Sequence, residues 1–370
     1  MSISIEDQTS NLSLFHYQVC TEDSSAEVKK SRGIIYDSDQ NVVCTSYEYT
    51  PEYTVREDSE KYRTALQAAT LDQCTMYKAE EGSLLRLFYN ENKWHLSTHK
   101  RISAFDSKWS SSKSFGEFFI EALQYYFTCG DGKGALEFEQ NDDVYDCFCA
   151  TLDKEHVYTF LLRTNADTKI VCRPPEHPTV FFAGWFQKGV WTPGNPTRLP
   201  SPQQLTFASI DELELFVENV NPLEHQGVIM ILPDGKTIKI VTPLCLQYKT
   251  IRGSEPDIHA AYFRLRKTQD DLALFHTLFP TFNTKKIEDE FFTLGTYLHR
   301  MYVRRYIKKQ FTVVHPTHFY VIKQAHAWHC TDRSSNIVTM DKMMELLNEQ
   351  TPVQLYKMYQ EYVRNTINMF

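Results

Sequence analysis

Between Ile34 and Ile240 apolar and polar residues alternate in short runs, the period-two pattern of half-buried strands. "GIIYDSDQNVVCTSY" predicts two strands joined by a polar turn at 37–41, and "SLLRLFYNENKWHLSTH" repeats the pattern around Asn-Glu-Asn. "GVIMILPDGKTIKIVTP" predicts a third hairpin closed by Pro-Asp-Gly, and "TMYKAEEGSLLRLFY" a strand, a tight turn and a second strand. Helical spacing interrupts them. It predicts helices from Glu60 to Thr70, over "SFGEFFIEALQYYFTC" on Phe118, Phe119, Ala122, Leu123 and Tyr126, and over "SIDELELFVENV" with Ser209 as N-cap. The proline- and glycine-rich "RPPEHPTVFFAGWFQKGVWTPGNPTRLPSPQQL" excludes regular helix and is expected to be a long excursion within the domain.

Past Ser254 the pattern changes to long amphipathic stretches. "DIHAAYFRLRKTQDDLALFHTLF", "KKIEDEFFTLGTYLHRMYVRRYIKKQ", "MDKMMELLNEQ" and "TPVQLYKMYQEYVRNTI" all have helical spacing, the last with Thr351 as N-cap and Pro352 at its first position. The fold class expected is α+β with mostly antiparallel sheets, residues 1–253, followed by an all-helical domain, 254–370, with the boundary in "RGSEP" at 252–256. No internal repeat is visible.

Composition narrows the class. A chain of 370 residues with 42% hydrophobic and 14% aromatic residues can build two cores, and 23% charged residues with a mean hydropathy of -0.42 fit a soluble globular protein. No apolar run reaches the roughly 18 residues of a membrane span, and "MSISIEDQTS" lacks the features of a signal peptide, so an intracellular setting, cytoplasmic or nuclear, and no membrane partner are expected. Nine cysteines without regular spacing suit reduced thiols. A net charge of -8 works against indiscriminate nucleic-acid binding while leaving room for a local basic cleft.

Taken in order, "SRGIIYDSDQNVV", "EEGSLLRLFYNENKWHLSTHK", "VYTFLLRTNADTKIV", "HQGVIMILPDGKTIKIVTP" and "LQYKTIRG" resemble the successive motifs of covalent nucleotidyltransferases. More narrowly they resemble the tRNA-repair RNA ligases of T-even bacteriophages and large DNA viruses, over roughly residues 30 to 253. The resemblance implies a nucleotidyltransferase (ATP-grasp-like ligase) domain with a helical tail. It also implies ATP and Mg²⁺ as cofactors if the site is active, and a lysine that takes AMP from ATP before passing it to an RNA 5′-phosphate. A free lysine amine has a pKa of about 10.4, and bringing it near 7 costs about 4 kcal/mol, supplied by a pocket of cations and desolvating walls. Carboxylates must hold the metal.

On this resemblance Lys78 is the candidate nucleophile, with Arg32, Glu81, Gly82 and Lys239 as candidate nucleotide-binding residues; no metal ligand is assigned. Four positions depart from the family pattern. The family lysine stands three residues before the glycine, where this chain has Ala79, and Lys78 stands one residue earlier. A one-residue slip on a strand points the amine to the other face of the sheet unless a bulge corrects it. The third motif has Leu161 for a glutamate, the fourth has Gln226 for a glutamate, with Glu224 as a weak substitute, and the fifth has Val241 for its second lysine. Each swap removes a charge. Two functions follow: a ligase-fold protein that binds or builds without catalysis, in a virus particle or an RNA-handling complex, or an active ATP-dependent RNA ligase. Protein partners are expected from the aromatic and acidic composition, and RNA is a further candidate partner.

Other clusters have weaker chemistry. "HPTHFYVIKQAHAWHC" brings His315, His318, His326, His329 and Cys330 close in sequence, which admits a zinc site or ordinary packed histidines, with "FYVI" strand-like between them. "LHRMYVRRYIKKQF" interleaves Arg300, Arg304, Arg305, Lys308 and Lys309 with Tyr302 and Tyr306, a pattern for RNA contact or for a charged helix face. "GDGKGA" is a turn, not a phosphate loop.

Overall fold

The structure is a computed structural model describing residues 3–67, 70–134, 136, 143–164 and 169–367. Residues 68–69 at the end of the expected 60–70 helix, Ala135 of "GDGKGA", and residues 165–168 of the third motif lie outside the described residues. The chain divides into two compact units, Met1–Lys249 and Thr250–Phe370.

The first unit is α+β. A four-stranded antiparallel sheet, β1 (Ile3–Gln8), β2 (Leu12–Tyr17), β3 (Arg32–Asp37) and β4 (Val42–Cys44), runs in chain order, with α1 (Ala26–Lys30) between β2 and β3. A second sheet contains β5 (Glu52–Thr54), β6 (Thr75–Lys78), β12 (Gln204–Leu205), β13 (Gly227–Ile231) and β14 (Thr237–Val241) in the order β12-β6-β13-β14-β5. Its pairs are antiparallel except β14 with β5. The third sheet, β11-β10-β9-β7-β8, is antiparallel throughout and is built from β7 (Ser83–Asn90), β8 (Lys93–Thr98), β9 (His156–Arg163), β10 (Thr179–Gln187) and β11 (Val190–Thr192).

Helices cover one face of each five-stranded sheet. In the second sheet Met76, Val228, Met230, Ile238 and Ile240 pack with Tyr62 and Leu66 of α2 (Ser59–Gln67) and Leu213 and Val217 of α5 (Ile210–Glu218). In the third, Leu85, Leu87, Phe160 and Leu162 pack with Phe118, Phe119 and Leu123 of α3 (Phe115–Thr128) and Phe148 of α4 (Val144–Ala150). Ser114 and Glu117 close a reciprocal capping box at the start of α3, and Ser209 caps α5. The other faces of the two sheets meet through Tyr77, Ile231, Tyr47, Phe186 and Trp191.

One expectation is corrected here. The proline-rich stretch is not an excursion, because proline-free Thr179–Gln187 forms β10, a strand inside the third sheet. It carries a bulge between Phe182 and Gly184, and an added Cβ on Gly184 would strike the Tyr47 hydroxyl; that hydroxyl instead donates to Ala183 O at 2.8 Å. The prolines flank the strand without interrupting it.

α6 (Pro243–Arg252) carries the chain into the second unit, which is helical: α7 (Ile258–Leu265), α8 (Gln269–Leu278), α9 (Thr284–Tyr302), α10 (Pro316–Thr331), α11 (Met340–Asn348) and α12 (Pro352–Ile367). Thr351 and Gln354 exchange capping hydrogen bonds ahead of Pro352. "DIHAAYFRLRKTQDDLALFHTLF" breaks into two helices at Arg266–Thr268. "FYVI" is not a strand: it lies in α10, where Pro316 opens the helix and Val321, Ile322 and Ala325 are buried. None of the described helices is long and apolar enough to cross a membrane.

Candidate nucleotide site

β6 pairs with β13 without a register shift, placing Met76 opposite Met230, Tyr77 opposite Ile229 and Lys78 opposite Val228. Met76, Val228 and Met230 all belong to the core against α2 and α5. Alternation therefore puts Lys78 on that helix-covered face, and no bulge turns it back. His225, whose ring stacks beside Phe216 of α5, feels it there: burial lowers the imidazole pKa, and the Lys78 charge adds to the effect.

One residue later the chain still pairs. The Ala79 amide donates to Gly227 O at 2.8 Å, and Ala79 O accepts from the Gln226 amide at 2.9 Å. Ala79 thus shares the opposite face with Tyr77, Ile229 and Lys239, the last two being direct partners across β13 and β14. The position three residues before Gly82 is filled by a methyl group that is 2% exposed.

That face carries a continuous polar chain. Lys249 donates to both oxygens of Glu52, at 2.7 and 2.5 Å, and Lys239 donates to Glu52 Oε1 at 3.0 Å. The Lys239 ammonium also donates to Gln226 Oε1, and Gln226 Nε2 donates to Glu81 Oε2 at 2.8 Å. Glu81 in turn accepts the backbone amides of Ile170, Val171 and Cys172 at 2.9–3.2 Å. Burial opposes ionisation of Glu52, but the two ammoniums outweigh it and hold its pKa at about 2. Burial likewise lowers Lys239. Gln226, 4% exposed, is the relay: a carboxamide offers an acceptor to the cation and a donor to the carboxylate at once.

Backbone geometry fixes the chain in place. A Cβ on Gly82 would come 2.5 Å from Leu162 O, and Gly227, at φ 139°, would bring one 2.1 Å from Ile240 O. Neither position accepts a side chain.

Arg32 opens β3, where Nη1 donates to Glu48 O and Thr50 Oγ1, both at 3.1 Å; burial lowers its pKa, against the fields of Tyr17 and Glu52. It also lines a groove of about 410 Å³ with Ser83, Lys100, Lys108 and Trp109, in which no lining residue is acidic. Behind the groove lies Arg86, fully buried, with guanidinium nitrogens donating to Gly33 O and Thr98 O and its Nε without a partner among the described residues. Burial first, then Arg32 and Arg86, push His99 well below the ordinary imidazole range.

The structure thus brings Arg32, Glu81, Gly82 and Lys239 to one side of the unit and Lys78 to the other face of its sheet. A divalent cation is not suited by this set. Leu161 has no lone pair for a metal, Gln226 is engaged at both ends, and Val241 is buried. Glu224, the expected weak substitute, precedes β13 in a turn, is exposed, and accepts from Asn221 at 3.5 Å. Glu52 and Glu81 would each have to give up ammonium or amide partners. For the phosphates and base of ATP the cations and Trp109 of the groove are suitable donors and a stacking surface. The sequence pattern missed Glu52, because its three-residue strand carries no motif until β14 and β5 pair Lys239 with Glu52, and it gave Lys249, inside "LQYKTIRG", no role.

Two histidines of the cluster are engaged by backbone carbonyls. His318 Nε2 donates to Met358 O at 2.9 Å and His329 Nδ1 to Asn336 O at 2.6 Å, and no group of three or more metal-ligating side chains occurs among the described residues. Tyr302 is buried and Arg305 lies over the Phe319 ring, 4.5 Å from its centroid.

No protein-family model matches the chain. It is 24% identical over 363 residues to the immediate-early protein ICP-46 homolog of Invertebrate iridescent virus 6, covering 90% of this chain and 77% of that protein. It is 28% identical over 268 residues to the ICP-46 homolog of Invertebrate iridescent virus 3, covering 70% and 56%. The chain therefore spans little more than half the length of this second relative. Among solved structures, an archaeal ATP-dependent RNA ligase, form 1, aligns with a TM-score of 0.40 and 8% identity over all of this chain and 84% of the other. A likeness at that level supports no inference.

Proposed function

We propose that this chain is a viral RNA-ligase-fold protein that has lost nucleotidyl transfer and serves as a binding component, holding a phosphorylated nucleotide or RNA end in its basic groove. The ligase motifs, taken in order, coincide with β3, the β7–β8 hairpin, β9, the β13–β14 hairpin and α6. The observation that carries the loss of transfer is the Ala79 methyl in the row with Lys239, while Lys78 occupies the helix-covered face. An amine on that face has a sheet between itself and the groove. The retained cations Arg32, Lys100 and Lys108 beside Trp109 support phosphate binding with a stacked base. The acidic, aromatic-rich chain favours protein partners as well, in a particle or an RNA-handling assembly.

Fluorescence anisotropy with short RNAs that differ only in a 5′-phosphate tests the binding role. Tighter binding of the phosphorylated RNA is expected, weakened by salt and by Arg32→Ala or Lys100→Ala, with ATP competing and recovered unchanged. Equal binding of both RNAs, unmoved by either substitution, contradicts it.

A further inference from the structure

In the helical unit one stretch departs from the rest of the chain in both charge and exposure. From residue 291 to residue 331 there is no Asp or Glu. Its Lys and Arg residues, Arg300, Arg304, Arg305, Lys308, Lys309 and Lys323, give +6 within a chain of -8, so the remaining residues carry -14. Between α9 and α10, in the middle of this stretch, stand Phe311 and Val313, the two most exposed large hydrophobic side chains among the described residues, at 91% and 81%. Ile307, just before them, is 59% exposed.

The backbone beneath these side chains is fixed. α9 continues into a π turn, Val303–Ile307, after which the Lys308 amide donates to Val303 O and the Gln310 amide to Arg304 O, each at 2.9 Å. Lys309, at φ 51°, turns the chain out of the helix. Arg305, over the Phe319 ring of α10, donates through Nη1 to Thr312 O at 3.3 Å and ties the next segment down. From there exposure alternates as in an extended chain: Phe311, Val313 and His315 are exposed, Thr312 and Val314 half-buried. The tyrosines of the stretch are already engaged, Tyr302 by burial and Tyr306 by stacking on His326 at 3.8 Å and 16°. Glu361 of α12, 4.0 Å from His315, is taken by Arg364 and Asn365.

We propose that residues 304–313 are a docking surface for an anionic lipid membrane, with Ile307, Phe311 and Val313 entering the interfacial layer and Arg304, Lys308 and Lys309 lying among acidic headgroups. Exposed apolar side chains rimmed by charge mark interaction sites, and the uniform positive sign calls for an anionic occupant. Lipid is favoured over nucleic acid because Ile307 and Val313 offer no ring to stack on a base, whereas acyl chains reward any protruding apolar group. An acidic protein would have to supply a groove for all three; a bilayer deforms around them. The negative charge of the other residues is screened beyond about 8 Å at physiological ionic strength. The expectation of no membrane partner concerned spans and signal peptides, and this surface contact needs neither.

The full chain is sedimented with sucrose-loaded vesicles of phosphatidylcholine, with and without phosphatidylserine, at about 0.15 M salt. Binding to the phosphatidylserine vesicles is expected to be on the order of tenfold to a hundredfold tighter. Phe311→Ser with Val313→Ser, and separately Lys308→Gln with Lys309→Gln, should each weaken it on the order of tenfold. All four side chains are exposed, so both variants should melt at the native temperature. Equal sedimentation with and without phosphatidylserine, or binding unmoved by both pairs of substitutions, overturns the proposal. So does a chain that ignores both vesicles but binds single-stranded RNA through Lys308 and Lys309, which would make this surface a nucleic-acid contact.

Discussion

Gln226→Glu restores the glutamate that the ligase pattern has at this position, and the geometry predicts that it destabilises the first unit. Gln226 Nε2 lies 2.8 Å from Glu81 Oε2. A carboxylate there replaces a donor with an acceptor, losing a hydrogen bond to a charged group worth about 1.5–3 kcal/mol. Two like charges some 4 Å apart add roughly 4 kcal/mol of repulsion at an effective dielectric of 20, and the attraction to Lys239 offsets about as much. The net deficit expected at pH 7.5 is therefore about 1.5–3 kcal/mol. Burial and Glu81 raise the pKa of the introduced carboxyl in the folded state, so the folded state holds its proton more tightly than the unfolded chain. Stability is then lost as pH rises through the folded pKa, and the deficit shrinks toward pH 5, where a protonated Glu donates to Glu81 again. Gln226→Met removes both hydrogen bonds without adding charge and should show a deficit independent of pH. The assay is urea unfolding at pH 5.0 and 7.5 followed by tryptophan fluorescence. A Gln226→Glu variant as stable as the native chain at pH 7.5, or one whose deficit matches that of Gln226→Met at both pH values, refutes the relay.

Gly82→Ala, with its Cβ placed 2.5 Å from Leu162 O, should cost about 1–3 kcal/mol in the same unfolding assay, whereas Gly189→Ala, with no atom within 4 Å, costs only backbone strain. Arg86→Met strands Gly33 O and Thr98 O and should destabilise by about 2–5 kcal/mol; a loss under about 0.5 kcal/mol would show that neither carbonyl depends on the guanidinium. Glu52, held at about 2, contributes stability that is present above its unfolded pKa of about 4.3 and lost as pH falls through about 2. Glu52→Gln should remove that part of the acid transition, measured by thermal melts from pH 5 to 2.

Hairpins with polar turns were readable because each strand alternates and each turn is polar, as at Asp37–Asn41 and Pro233–Gly235. β10 was hidden by the prolines around it, although Val180, Phe182, Gly184 and Phe186 are buried at strand spacing. β1 was missed because none of its residues is fully buried. In α10 tertiary packing overrides the β-branched Val321 and Ile322. Of the site, Arg32, Glu81, Gly82 and Lys239 could be named from motif order. Their coupling could not, since Glu52, remote in sequence, joins Lys239 and Lys249 only through a parallel strand pair, and Gln226 reads in the sequence as a missing carboxylate.

The most direct measurement is incubation of the full chain with α-labelled ATP and Mg²⁺ or Mn²⁺, followed by acid precipitation and counting of protein-bound label. With a methyl group at Ala79 and the Lys78 amine on the helix-covered face, no acid-stable label is predicted. Label that forms on the native chain and vanishes in Lys78→Ala would mean that this amine reaches the α-phosphate, and would contradict the loss of transfer.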